Sequence, residues 1–262
     1  MIAIQSISTY LVVLLLSLTR ITALLVIAPF FSAQLITGLV RNLIIINLTV
    51  IIVPMVVVAM PTDPMTVMEV VLIMAKEAFI GVVMGVIVGV VFFVADAAGS
   101  FIDTQRGSSM GQIFDPVLGD QGTNLGSLFT KVVLFLFFTG GGFLAFLGLL
   151  YNSYKIWPIL SFFPNIRNPI FPGFVLEIAD EIMRKTVLVA APVAIIMFLV
   201  EFGLGMMNRF AQQLNVFSLA MPIKSGVAVF ILVIYLKVII ELFNIQMVDD
   251  RRMLLLLEKI FS

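Results

Sequence analysis

The feature that most constrains this chain is a series of long stretches without one ionisable side chain. Residues 42–62, 78–95, 132–154 and 186–200 hold no Asp, Glu, Lys or Arg. Residues 11–33 would be a further stretch but for Arg20, and residues 225–240 but for Lys237. A helix crossing the hydrocarbon of a bilayer takes about 20 apolar residues. These six segments therefore predict an all-α, polytopic membrane protein. Apolar residues make up 61% of the 262 and charged residues 11%, whereas a soluble domain is nearer half and a quarter. The prolines (54, 61 and 192) and the run Gly140-Gly141-Gly142 predict interruptions or bends rather than straight spans.

Charge placement argues against simple lipid spans. Arg20, Arg41, Glu201, Arg209 and Lys224 lie in or beside apolar helices. Such groups usually face a bundle interior or a wet cavity, because an ionised side chain at the bilayer centre costs about 2.5–3.5 kcal/mol on insertion scales. The alternative is snorkelling at helix ends. Basic residues do not alternate cleanly between loops, so orientation is not set by the positive-inside rule. The first 19 residues lack a basic n-region and a small-residue cleavage site, and the first apolar segment is expected to remain in the mature protein.

Histidine and cysteine are both absent. Disulfides, thiolate or imidazole metal sites and Ser-His-Asp or Cys-His catalysis are thereby excluded. There is no Gly-x-x-x-x-Gly-Lys phosphate loop. The 15 basic and 15 acidic residues balance, and no basic stripe points to nucleic acid. No catalytic, cofactor or metal site is expected. Asp103 and Asp115 could be read as a carboxylate pair, but turn-rich surroundings favour local backbone capping.

Five regions carry the remaining information. Gly81, Gly85 and Gly89 recur every fourth residue on one helix face, a spacing that lets another backbone approach closely. Residues 100–126 form a polar, glycine-rich segment directly after an apolar helix. Within it Arg106, Gly107, Met110, Ile113, Phe114 and Asp115 make up either an ordinary loop or a loop entering a cavity, with Met110, Ile113 and Phe114 as a soft apolar plug. Residues 155–173 contain four prolines and predict an exposed, partly aromatic loop. Glu201, Asn208, Arg209, Asn215 and Lys224 mark a polar seam between two apolar helices. Glu201 and Arg209, two turns apart, share a face without being able to pair directly. Residues 241–262 predict a helix end, a polar turn at residues 249–252 and a short amphipathic segment.

These motifs resemble the FliR/SctT (YscT/SpaR/EscT) family of type III secretion export-apparatus membrane subunits. The similarity runs from Arg20, Pro29-Phe30-Phe31 and Arg41-Asn42, through Lys76-Glu77 with Gly81 and Gly85. It is most specific at Gln105-Arg106-Gly107, Arg209-Phe210-Ala211 and Met221-Pro222-Ile223-Lys224-Ser225. Gln105-Arg106-Gly107 and Pro222-Ile223-Lys224-Ser225 are similar to the injectisome branch rather than the flagellar one. Gln212 stands where relatives often carry Pro, so the shape of that turn is not carried over. The resemblance implies one membrane domain over residues 1–262, built of long, bent helical hairpins packed in a multi-subunit helical export gate. The implied partners are FliP/SctR-type and FliQ/SctS-type subunits and an FlhB/SctU-type subunit. The implied cargo is unfolded secreted protein crossing the bacterial inner membrane. The implied role of residues 106–115 is to help close the resting pore. Alternatives are a flagellar subunit of the same family and a stand-alone secondary transporter or ion channel. A carboxylate enzyme in the membrane is a weaker third.

Overall fold

The computed structural model describes residues 2–31, 36–60, 65–108, 123–161, 170–210 and 216–261. Among the described residues seven α-helices follow in order: α1 (Ile2–Ile27), α2 (Gly38–Ala59), α3 (Val67–Gln105), α4 (Asn124–Thr139), α5 (Gly142–Ile156), α6 (Ile170–Phe210) and α7 (Val216–Phe261). A 3-10 turn, Pro29–Phe31, follows α1, and no strand occurs among the described residues. Among those residues α2, α3, α6 and α7 are long and apolar enough to cross a membrane, and α4 with α5 make a fifth span if taken as one broken element. At 1.5 Å per residue the 39 residues of α3 extend about 58 Å, nearly twice the hydrocarbon thickness.

Helix boundaries follow local chemistry. Thr66 and Glu69 form a capping box at the start of α3: the Thr66 N–H donates to Glu69 Oε2 at 2.8 Å, and the Glu69 N–H reaches Thr66 Oγ1 at 3.4 Å. No proline interrupts the 39 residues that follow. Gly141, at φ 77°, takes the left-handed conformation that separates α4 from α5. Pro54, Pro192 and Pro222 lie inside α2, α6 and α7, which continue through them.

Two sequence expectations change. The C-terminal region shows no helix end or polar turn: α7 runs unbroken through residues 249–252 to Phe261. The four charges there carry no helix-breaking backbone, and neither Gly nor Pro follows Gly226. The proline-rich region is shorter than residues 155–173, because α5 reaches Ile156 and α6 already begins at Ile170. Residues 162–169 lie outside the described residues.

The chain groups into two compact units. One comprises Met1–Val90, Gly141–Val175 and Asp249–Ser262; the other comprises Val91–Gly140 and Leu176–Val248. In the first, α1 buries Val13, Leu16, Ile21 and Leu24 at helical spacing. Phe30 packs on Phe31 at 4.9 Å and edge-on against Phe146 at 5.2 Å. In the second, α4 buries Leu125, Phe129, Val133 and Phe137, one per turn. Phe92 meets Phe137 at 5.5 Å, and Phe129 meets Phe243 at 6.2 Å.

Candidate functional site

Two polar constellations stand out against this apolar background, one in each unit. In the first unit Arg20 and Glu77 are both fully buried. Arg20 donates from Nε to Glu77 Oε2 at 2.7 Å and from Nη2 to Glu77 Oε1 at 3.0 Å, a bidentate pair. Its other donors reach Ser153 Oγ at 3.0 Å and the Trp157 carbonyl at 2.9 Å. The guanidinium lies 4.1 Å from the centre of the Tyr154 ring. Lys76 completes the group. Its Nζ is 3.0 Å from Glu77 Oε1 and donates to the carbonyls of Pro158, Ile159 and Ser161 at 3.3, 2.6 and 3.0 Å. One carboxylate thus holds two cations and ties α1 and α3 to the end of α5 and the 157–161 turn.

The packing glycines belong to the same contact. A Cβ on Gly85 would lie 2.8 Å from Ile27 Cβ and 2.9 Å from the Leu24 carbonyl oxygen. A Cβ on Gly81 would strike the Arg20 carbonyl oxygen and Ala23. The partner of this glycine face is therefore α1, within the same chain. Gly89 is buried one turn further along α3.

The second constellation lies where α3 ends and α4 begins. Here α3 closes in a Schellman motif. The Gly107 N–H donates to the Thr104 carbonyl at 3.1 Å, and the Ser108 N–H to the Asp103 carbonyl at 3.0 Å. Gly107 has φ 82°, the left-handed conformation this cap requires. On the other side Thr123 caps α4, accepting from the Gly126 N–H at 3.1 Å. Asp103, buried, accepts from the Leu125 N–H at 2.8 Å and so satisfies another orphan donor of that helix. Its other oxygen stands 2.6 Å from Arg106 Nε. That contact is an ion pair whose angles do not make an aligned hydrogen bond.

Small residues bring the two helices together. Ser100 and Thr123 hydroxyls are 2.9 Å apart. A Cβ on Gly99 would collide with the backbone of Leu125 and Gly126. A Cβ on Gly126 would lie 2.6 Å from Asp96 Oδ1 and 3.0 Å from Ser100 Oγ. Asp96, Gly99, Ser100 and Asp103 therefore form one α3 stripe against the start of α4. The result is a closed polar base at which residues 109–122 begin and end. Met110, Ile113, Phe114 and Asp115 lie outside the described residues.

A third contact joins this base to the seam. Glu201, on α6, pairs with Lys224, on α7, at 2.7 Å, and Lys224 Nζ also reaches the carbonyl of Gln105, the last residue of α3, at 3.5 Å. Met221, one turn from Lys224, is the side chain that a Cβ on Gly107 would meet, at 3.4 Å. Asn208 and Arg209 are exposed on the last turns of α6, and Asn215 lies outside the described residues. The structure thus joins Glu201 to Lys224, and both to Arg106 and Gly107 by way of the end of α3.

Sequence reasoning marked Arg20 as a charge in an apolar helix without finding its partner. Glu77 lies 57 residues away, and nothing in local spacing assigns the pair. The only available signal was that each is an isolated charge beside a long apolar run. Backbone capping was expected of Asp103, but that it caps α4 rather than its own surroundings was hidden, since the two are separated by the polar segment itself.

Comparison with known proteins gives consistent results. The profile of the bacterial export proteins, family 1, matches residues 11–249. The chain is 39% identical over 219 residues to the Yop proteins translocation protein T of Yersinia pestis, covering 83% of each chain. It is 27% identical over 220 residues to the surface presentation of antigens protein SpaR of Salmonella typhimurium, covering 84% of this chain and 81% of that one. To the flagellar biosynthetic protein FliR of Bacillus subtilis it is 32% identical over 165 residues, 63% of each.

Proposed function

The chain belongs to the bacterial export proteins, family 1, and on that premise we propose that it is a membrane subunit of the export apparatus of an injectisome-type type III secretion system. The observation that carries this reading is the 39% identity to a Yop translocation protein across 83% of both chains. The flagellar FliR matches are at lower identity, 32% and 27%, which favours the injectisome over the flagellum. In this role the protein is a multi-pass component of the bacterial inner membrane. It works beside FliP/SctR-type, FliQ/SctS-type and FlhB/SctU-type subunits and lines part of a conduit for unfolded proteins. It supplies no chemistry of its own.

Physical features support the reading. Leu199, Phe202, Met206, Phe210, Phe230 and Val233 are all largely exposed, and Glu201 and Arg209 stand among them. Lipid is a poor cover for such a mixed face, whereas neighbouring subunits or a wet conduit suit it. Residues 106–115 serve as the closing element of the resting pore, in the segment that follows α3. Met110, Ile113 and Phe114 supply the apolar constriction, which excludes ions by excluding water.

The test is resting ion permeability of the assembled secretion complex. Replacing Met110, Ile113 and Phe114 together with Ser is expected to produce leak without loss of assembly. A variant complex that assembles normally and conducts no more than the wild type refutes the closing role. Failure of the chain to co-purify with FliP/SctR-type and FliQ/SctS-type subunits refutes the apparatus reading itself.

A further inference from the structure

The end of α3 is held from two directions, and only one belongs to the loop base. Asp103, Ser100 and Gly99 bind it to α4. Met221 and Lys224, three residues apart on one face of α7, bear on its last turn: Met221 against Gly107, and Lys224 on the carbonyl of Gln105. Lys224 is itself anchored by Glu201 on α6 at 2.7 Å, and its side chain is only 11% exposed against 59% for Glu201. We propose that Lys224 is a positioning residue: its ammonium latches the C-terminal turn of α3 to the α6–α7 pair, and Glu201 sets the latch. This inference rests on the reading of residues 106–115 as the closing element.

The physical basis is the unpaired carbonyls at a helix C-terminus, which carry partial negative charge and attract a cation. The ammonium, on a side chain only 11% exposed, lies between the Gln105 carbonyl and the Glu201 carboxylate. A shift of α7 that breaks the Lys224–Gln105 contact also withdraws Met221 from Gly107, because both sit on the same helical turn. The Schellman turn then loses its α7 support at the point where the chain leaves for residues 109–122. Movement of α6 and α7 is thus transmitted to the closing element through two side chains.

The identity of the groups makes the latch separable from an ordinary α6–α7 ion pair. Exchanging the charges, Glu201→Lys with Lys224→Glu, keeps the pair but places a carboxylate against the Gln105 carbonyl. Lys224→Arg keeps a cation at both contacts. Resting conductance per assembled complex, in cells carrying the full secretion system, is the readout. Lys224→Met is expected to raise it about tenfold, the factor given by about 1.4 kcal/mol. The charge exchange is expected to leak as much, and Lys224→Arg to stay near the wild type. Met221→Ala, which alters no charge, is expected to leak as well and serves if Lys224→Met assembles poorly. A closed complex for both Lys224→Met and Met221→Ala overturns the latch. So does rescue by the charge exchange, which would reduce Lys224 to a helix-pairing residue. If these variants stay closed while the Met110, Ile113 and Phe114 substitutions leak, the closing role stands and only the latch falls. If they leak while those substitutions do not, the closing role of residues 106–115 falls, and the latch as stated here falls with it.

Discussion

Removing the Glu77 carboxylate is expected to be the most damaging single change in the first unit. Glu77 balances Arg20 through two hydrogen bonds of 2.7 and 3.0 Å and Lys76 through a third contact of 3.0 Å. Arg20 and Glu77 are wholly enclosed. In Glu77→Ala the cluster changes from two cations and one anion to two cations, and water does not reach the guanidinium. Breaking a buried pair by deleting one partner costs about 3–5 kcal/mol. With a shift of roughly 2–4 °C per kcal/mol for a chain of this size, the thermal midpoint should fall by about 6–20 °C. The assay is protease resistance of the tagged chain in membranes across a temperature series, so that it stays among its natural neighbours. Removing both charges, Arg20→Met with Glu77→Met, should recover much of the loss, because an apolar replacement of a buried pair is often neutral. Ser153 keeps its bond to the Leu150 carbonyl at 2.6 Å and Lys76 its three carbonyls, while the Trp157 carbonyl loses its donor and Lys76 its carboxylate, so the recovery should be partial. A midpoint for Glu77→Ala within about 2 °C of the wild type refutes the reasoning. So does a double variant no more stable than the single one, because both outcomes mean the isolated charge carries no penalty.

Other outcomes follow from the same geometry. Gly85→Leu should lower the steady-state level of the chain, since even its Cβ would press on Ile27 and Leu24, and overpacking typically costs about 1–3 kcal/mol. Gly226→Ala, where nothing lies within 4 Å, should be tolerated and serves as the control, read on the same immunoblot. Asp103→Ala should speed hydrogen exchange at the Leu125 amide, because that donor loses its buried acceptor at a cost of about 1–3 kcal/mol. Asp103→Asn, which keeps an oxygen there, should exchange more slowly than Asp103→Ala. Equal exchange in the two variants would remove the capping role.

The sequence by itself determined the class of the protein and much of its segmentation. Residues 78–95 and 186–200 fall within α3 and α6, residues 42–59 of the first stretch lie in α2, and residues 132–154 split into α4 and α5 at the glycines that marked the break. That much is local: apolar length sets helices in a membrane-like environment, and a left-handed glycine ends them whatever lies around it. The capping box of Thr66 with Glu69 is equally local, its partners three residues apart. Local patterning misjudged residues 249–252, where charge resembled a turn but left the helical backbone undisturbed. Tertiary structure alone decided which isolated charges meet. Arg20 finds Glu77 across 57 residues, Lys224 reaches Gln105 across 119, and Asp103 caps a helix that begins 21 positions later. A lone charge in an apolar run announces that it needs a partner, because leaving it bare is costly. Which partner it takes depends on where the packed helices place each face, and no spacing along the chain encodes that.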